Sequence, residues 1–206
     1  MPEYIYTDES IVVVSKPAGL LSVPGRGEDK QDCLWRRVQQ RFPTARIVHR
    51  LDQATSGLLI LALTADTHRH LSMQFERRVP SKRYQAVISG VPEQSSGRIE
   101  LPLRCDWENR PLQMVDPVDG KAATTEWERI ETLEQGTRVY LHPITGRSHQ
   151  LRVHMQAIGH PIIGDRFYAP EPARSCADRL LLHAEQLGLN HPVSGQWLDF
   201  EAPCPF

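Results

Sequence analysis

The sequence predicts an α+β fold: a mixed, largely antiparallel central sheet flanked by helices and loops. Short apolar runs bounded by turn residues outnumber stretches with helical spacing. Most of those runs follow one another directly instead of alternating with helices, as a doubly wound parallel sheet would require. A length of 206 residues suits one domain, 1–206, with a single sizeable core.

Ile11-Val-Val-Val14 reads as a buried strand that ends in the turn Lys16-Pro-Ala-Gly19, and Pro24–Gly27 reads as a loop. From Asp32, the apolar residues Leu34, Trp35, Val38 and Phe42 recur at helical spacing until Pro43 stops the helix. Ile47-Val48 and Gly57–Leu63 are strands, the second apolar enough to be buried on both faces. Asp66 is placed to cap a helix carrying Leu71 and Phe75, which closes on Arg77-Arg78. Short strands then follow at Tyr84–Ile88, Arg98–Leu101, Thr124–Ile130 and Arg138–Leu141. After Gly146, Leu151, Met155 and Ile158 mark a helix face with Gly159 as its C-terminal stop. Leu180–His183 and Trp197–Phe200 complete the set.

Hydrophobic residues are 40% of the chain, charged residues 24%, and the mean hydropathy is -0.42, as in ordinary soluble globular proteins. No apolar run reaches membrane-spanning length and the N-terminus lacks a secretory pattern, so the expected location is cytoplasmic. Cys33, Cys105, Cys176 and Cys204 are scattered without CxxC spacing and read as reduced thiols. No self-association stripe stands out, and a monomer is expected. A net charge of -1 argues, at face value, against a nucleic-acid partner. Its distribution argues otherwise. Residues 36–83 carry ten Lys and Arg against three Asp and Glu, and only four of the chain's 24 basic residues are lysine. Guanidinium groups fork onto phosphates and stack on bases.

Several familiar signatures fail. Gly25-Arg-Gly27 lacks the third glycine of a dinucleotide loop, and Val115 stands where a P-loop ending at Gly120-Lys121 needs glycine. His149, His154 and His160 are not spaced to place two imidazoles on one helical face, so no metal site is expected. Two polar insertions stand out. His49-Arg-Leu-Asp-Gln-Ala-Thr-Ser56 interrupts two apolar strands, and Thr145-Gly-Arg-Ser-His-Gln150 enters a helix. Taken singly, each passes for a polar turn or a helix cap.

Together they match a family. The chain resembles the RluA-type pseudouridine synthases through five segments in order. These are His49-Arg-Leu-Asp52 with Thr55-Ser-Gly57; Lys82-Arg-Tyr84-Gln-Ala-Val87; Thr145–His154; Gly159–Asp165; and Leu180–Ala184. Residues 11–26 and Cys105–Pro111 are similar to the subgroup that modifies both tRNA anticodon stem-loops and large-subunit (23S) ribosomal RNA. Many relatives carry an N-terminal S4 RNA-binding domain; none is expected here, which leaves RNA recognition to the catalytic domain.

The resemblance implies isomerisation of uridine to pseudouridine: uracil is detached from ribose and reattached through C5, without cofactor or metal. It assigns Asp52 as nucleophile, Arg147 as the cation that keeps a carboxylate ionised in a dry pocket, and Tyr84 as the ring beside the uracil. His49, Arg50, Thr55, Lys82, Arg83, His149 and Arg152 are the expected RNA contacts. The target base must leave its stack, and Arg50, two residues from Asp52, is placed to fill the gap. A catalytically silent RNA-binding module and a histidine-based metal hydrolase are the alternatives. The same chemistry on another RNA, such as a tRNA acceptor stem, is a third.

Overall fold

The computed structural model describes residues 2–206. In chain order the elements are β1 (Glu3–Thr7), β2 (Ile11–Lys16), α1 (Leu34–Gln39), β3 (Arg46–Ile47), β4 (Ser56–Ala62), α2 (Ala65–Glu76) and β5 (Ser81–Ile88). They continue as β6 (Ser96–Glu100), β7 (Leu103–Cys105), β8 (Gln113–Val115), β9 (Thr124–Leu133), β10 (Gly136–Pro143), α3 (Gln150–Ala157), β11 (Leu182–Asn190) and β12 (Trp197–Glu201). Two compact units divide the chain: residues up to Lys82 with His183–Pro205, and Arg83–Leu182 with Phe206.

In the first unit the strand order is β1-β2-β4-β11, with β3 on β4 and β12 on β11. Only the β4–β11 pairing is parallel; the others are antiparallel. The sheet is therefore mixed, as expected. Period-two alternation sends Ile11, Val13, Leu58, Ile60, Leu187 and Leu189 into one core, where Leu71 of α2 and Phe200 join them. All seven residues of β4 are buried, as its unbroken apolar run predicts. Gly57 makes the parallel pairing possible. At its φ of +112°, a Cβ would lie 2.2 Å from the carbonyl oxygen of Ala184, its register partner.

Two helix boundaries differ from the sequence expectation. The N-cap of α2 is Thr64, not Asp66. Thr64 Oγ1 accepts the Thr67 N–H (3.2 Å) while Thr67 Oγ1 accepts the Thr64 N–H (3.1 Å). Asp66 falls inside the first turn, where its charge still suits the helix dipole. α1 stops at Gln39, and Phe42 is reached by a looser turn in which Arg41 and Phe42 both donate to Val38 O. Pro43 disfavours helical backbone at the residue before it.

In the second unit the order β5-β10-β9-β6 is antiparallel throughout, and β7–β8 form a separate hairpin. α3 packs through Val153 against Leu103, Ala123 and Tyr168, with Leu112 and Val115 of the hairpin on the same cluster. Gly159 follows α3 at φ +86°, the stop expected from the sequence.

Candidate active site

Asp52 lies in the irregular segment that leads into β4, and three fixtures of the first unit set that segment in place. The ammonium of Lys16, fully buried at the end of β2, donates to the carbonyls of Pro17 (2.9 Å), Leu20 (2.7 Å) and Gln53 (3.1 Å). Ser22 bonds both backbone groups of Leu51: its Oγ donates to Leu51 O (2.7 Å) and accepts Leu51 N–H (3.1 Å). Thr55 N–H then closes a turn on Asp52 O (3.1 Å). These bonds fix the backbone on both sides of Asp52. Asp52 itself is half-buried.

The third fixture is His49. β3 ends at Ile47, and the imidazole takes over the ladder there: its Nε2 accepts the Ile60 N–H at 3.1 Å. That bond requires a lone pair on Nε2, hence a neutral ring. The ring stacks on Phe75 with centroids 4.6 Å apart. Burial, and secondarily the Lys82 charge, push its pKa from 6.5 down to about 3. Lys82 is itself held below the usual lysine range, first by burial and then by Arg78. His49 is thus a fastener of the Asp52 segment.

Arg50 points into solvent with no hydrogen bond or ion pair among the described residues. Arg36, Arg41, Arg46, Arg69, Arg77 and Arg78 are also exposed, so most of the basic stretch lies at the surface of the first unit. Thr55 is 2% exposed and has almost no surface to offer RNA.

In the second unit Tyr84 is half-buried on β5, in register with Leu141 of β10. Arg83 points to the opposite face of the strand and lies over Tyr140, 4.5 Å from its ring centroid. The turn bearing Arg147 is shaped by Gln150. Its Oε1 accepts from Thr145 Oγ1 (2.6 Å) and from the Arg147 N–H (3.0 Å), and its Nε2 donates to Thr124 O (2.9 Å) and Thr125 Oγ1 (3.0 Å). The Arg147 side chain is exposed and donates through Nε to Ala122 O (3.2 Å).

His149 follows at a left-handed φ of 54°, stacked on Phe167, with Nδ1 2.6 Å from Tyr168 Oη. Arg152 departs from its expected place among the RNA contacts. Its side chain is 4% exposed and forks onto the buried Asp165 through Nε (2.7 Å) and Nη2 (2.8 Å). As the chain is folded, that guanidinium braces α3 and has no surface with which to meet RNA.

Sequence reasoning passed over Lys16, Ser22, Gln150 and Asp165. Periodicity carries no sign of a buried lysine; only its place in Lys-Pro-Ala-Gly, after an apolar strand, could have marked it. Among the described residues no three His, Cys, Asp or Glu side chains gather to hold a metal, and no helix is long and apolar enough to cross a membrane. His149, His154 and His160 serve separate partners: Tyr168; Thr125 with Leu101 O; and Ser89 O.

Residues 10–157 match the family model described as RNA pseudouridylate synthase. The chain is 54% identical over 203 residues to the dual-specificity RNA pseudouridine synthase RluA of Escherichia coli strain K12, covering 98% of this chain and 93% of that one. It is 53% identical to the protein of the same name from Yersinia pestis, covering 98% of both chains. Among solved structures, human RNA pseudouridylate synthase domain containing 1 superposes with a TM-score of 0.84 at 29% identity, covering 100% of this chain and 84% of that one. The human domain-containing 4 protein gives 0.78 at 25%, covering 98% and 88%. The α+β expectation and the family expectation are both met: this chain belongs to the RNA pseudouridine synthase family, isomerases that act on RNA.

Proposed function

We propose that this isomerase converts a specific uridine to pseudouridine in two kinds of structured RNA, the tRNA anticodon stem-loop and 23S ribosomal RNA, with Asp52 as nucleophile on a flipped-out base. The observation that carries the assignment of Asp52 is the clamping of its segment by Lys16, Ser22 and His49. Such fastening suits a group that must meet one atom of a substrate and is superfluous for a solvated turn. Dual use of tRNA and ribosomal RNA is supported by the dual-specificity relatives, which this chain matches over nearly their whole length.

In this reading the N1–C1′ bond breaks with its electron pair passing to N1, the uracil turns within the site, and a C5–C1′ bond forms; C5 loses its proton and N1 takes one up. The balance is redox-neutral, so the chain's own side chains suffice. Asp52 lends an electron pair to C1′ or to uracil C6 in a temporary bond, which breaks again before product leaves and returns the carboxylate. Arg147 supplies the positive charge that favours an ionised carboxylate, and Tyr84 supplies a ring for the uracil and a hydroxyl near the departing proton. Extrusion of the base costs a few kcal/mol of stacking and pairing. Arg50, exposed and unpaired, offers a flat cation to fill the vacated space. The chain acts as a monomer in the cytoplasm. Pseudouridine mapping of total RNA from cells with and without the gene tests the substrate reading. Loss of the modification at sites in both tRNA and 23S ribosomal RNA is expected; an unchanged map would overturn it.

A further inference from the structure

The hairpin β7–β8 carries a loop, residues 106–112, of which Leu112 alone joins a core cluster. Trp107 at its tip is 65% exposed. The guanidinium of Arg110 lies over the indole, Cζ 3.8 Å from the ring centroid. Three other arginines of the second unit sit in surface or part-buried ion pairs: Arg98 with Glu100 and Glu126, Arg104 with Asp116, Arg138 with Glu131. Arg110 has no hydrogen bond or ion pair among the described residues, and the Trp107 indole N–H has no acceptor. The loop nevertheless has a defined shape. Asp106 N–H donates to Leu112 O and Leu112 N–H to Asn109 O, both at 3.0 Å. The Asp106 carboxylate accepts from the Asn109 backbone (3.2 Å) and side chain (2.9 Å), which holds its pKa below the usual range. Leu112 seats the base of the loop on the Val153–Tyr168 cluster, and Gln113 N–H donates to Tyr168 Oη at 2.8 Å.

We propose that this loop is an RNA-binding arm, on which Trp107 and Arg110 form a platform that stacks an unpaired base of the substrate and contacts its phosphate. A base has a π face and an adjacent anion, and the pair offers one open aromatic face and one unpaired forked cation for them. A single indole with a single cation is too small for a protein interface. The rigid loop keeps the ordering cost low. The inference rests on the chain's action on RNA and extends it to a contact outside the Asp52 segment.

The test uses the full-length protein and an anticodon stem-loop RNA containing uridine. Trp107→Ala should weaken RNA binding by fluorescence anisotropy about 5- to 100-fold and raise KM in parallel, with kcat within about twofold. Trp107→Phe should recover most of the loss. Arg110→Ala should weaken binding and reduce the salt dependence by about one counterion. Unchanged binding and KM in Trp107→Ala, recovery by Trp107→Leu as complete as by Trp107→Phe, or a changed oligomeric state with unchanged RNA affinity would each overturn the platform. A wild-type protein that binds the RNA but forms no pseudouridine in it would instead count against the substrate reading.

Discussion

His49 should make the protein lose stability in mild acid, by an amount set by how far burial and the Lys82 charge lower its pKa. The ring must stay neutral for Nε2 to accept the Ile60 N–H, and burial with the nearby Lys82 charge holds its pKa at about 3. In the unfolded chain the same imidazole titrates near 6.5. The unfolded state therefore binds the extra proton first. Stability is complete above pH 6.5 and declines as pH falls towards 3. Between pH 7.5 and 4.5 the full linkage amounts to about 2.7 kcal/mol. His49 as a residue is half-buried, so solvent screening trims the figure to about 1–3 kcal/mol. Urea unfolding of wild type and His49→Gln across this pH range isolates the effect. His154, also held low by burial, acts in the same direction in both proteins and cancels. An identical pH dependence in the two proteins would refute the argument.

Other consequences follow from packing. Gly57→Ala places a Cβ against Ala184 O at positive φ and should lower Tm by about 6–12 °C; a Tm unchanged from wild type would show that the parallel pairing tolerates the shift. Lys16→Met leaves three carbonyls without their shared donor and should cost about 2–4 kcal/mol in urea unfolding, with kcat reduced more than RNA affinity. Equal kcat would mean that the Asp52 segment does not need the clamp. Arg152→Ala strands the buried Asp165 charge and should cost about 3–5 kcal/mol by the same assay. A loss of RNA affinity at unchanged stability would restore Arg152 to the RNA contacts.

Elements with a strong period could be read directly: β4 from its unbroken apolar run, α2 and α3 from i, i+3, i+4 spacing. The weak ones escaped. β7 and β8 are three residues each, and β1 is five residues at the chain's edge, too short for alternation to register. α3 shows a subtler limit. Its apolar stripe was visible, but Gln150, Arg152 and His154 are buried too, each satisfied by a partner distant in sequence. Residue type therefore named the site motifs but could not say which side chains face inward. Arg50 and Arg147 look outward, whereas Thr55 and Arg152 turn into the fold. Nor does a motif reveal its supports, since Lys16 and Ser22 reach the Asp52 segment from 37 and 29 residues away.

The proposed nucleophile is Asp52, on a segment that Lys16, Ser22 and His49 hold in place. Tritium release from RNA labelled at uridine C5, measured under single turnover with Asp52→Asn alongside RNA binding by the same variant, tests it most directly. Release no higher than background is expected, with RNA affinity and thermal stability close to wild type. Release at a rate comparable to wild type would contradict it.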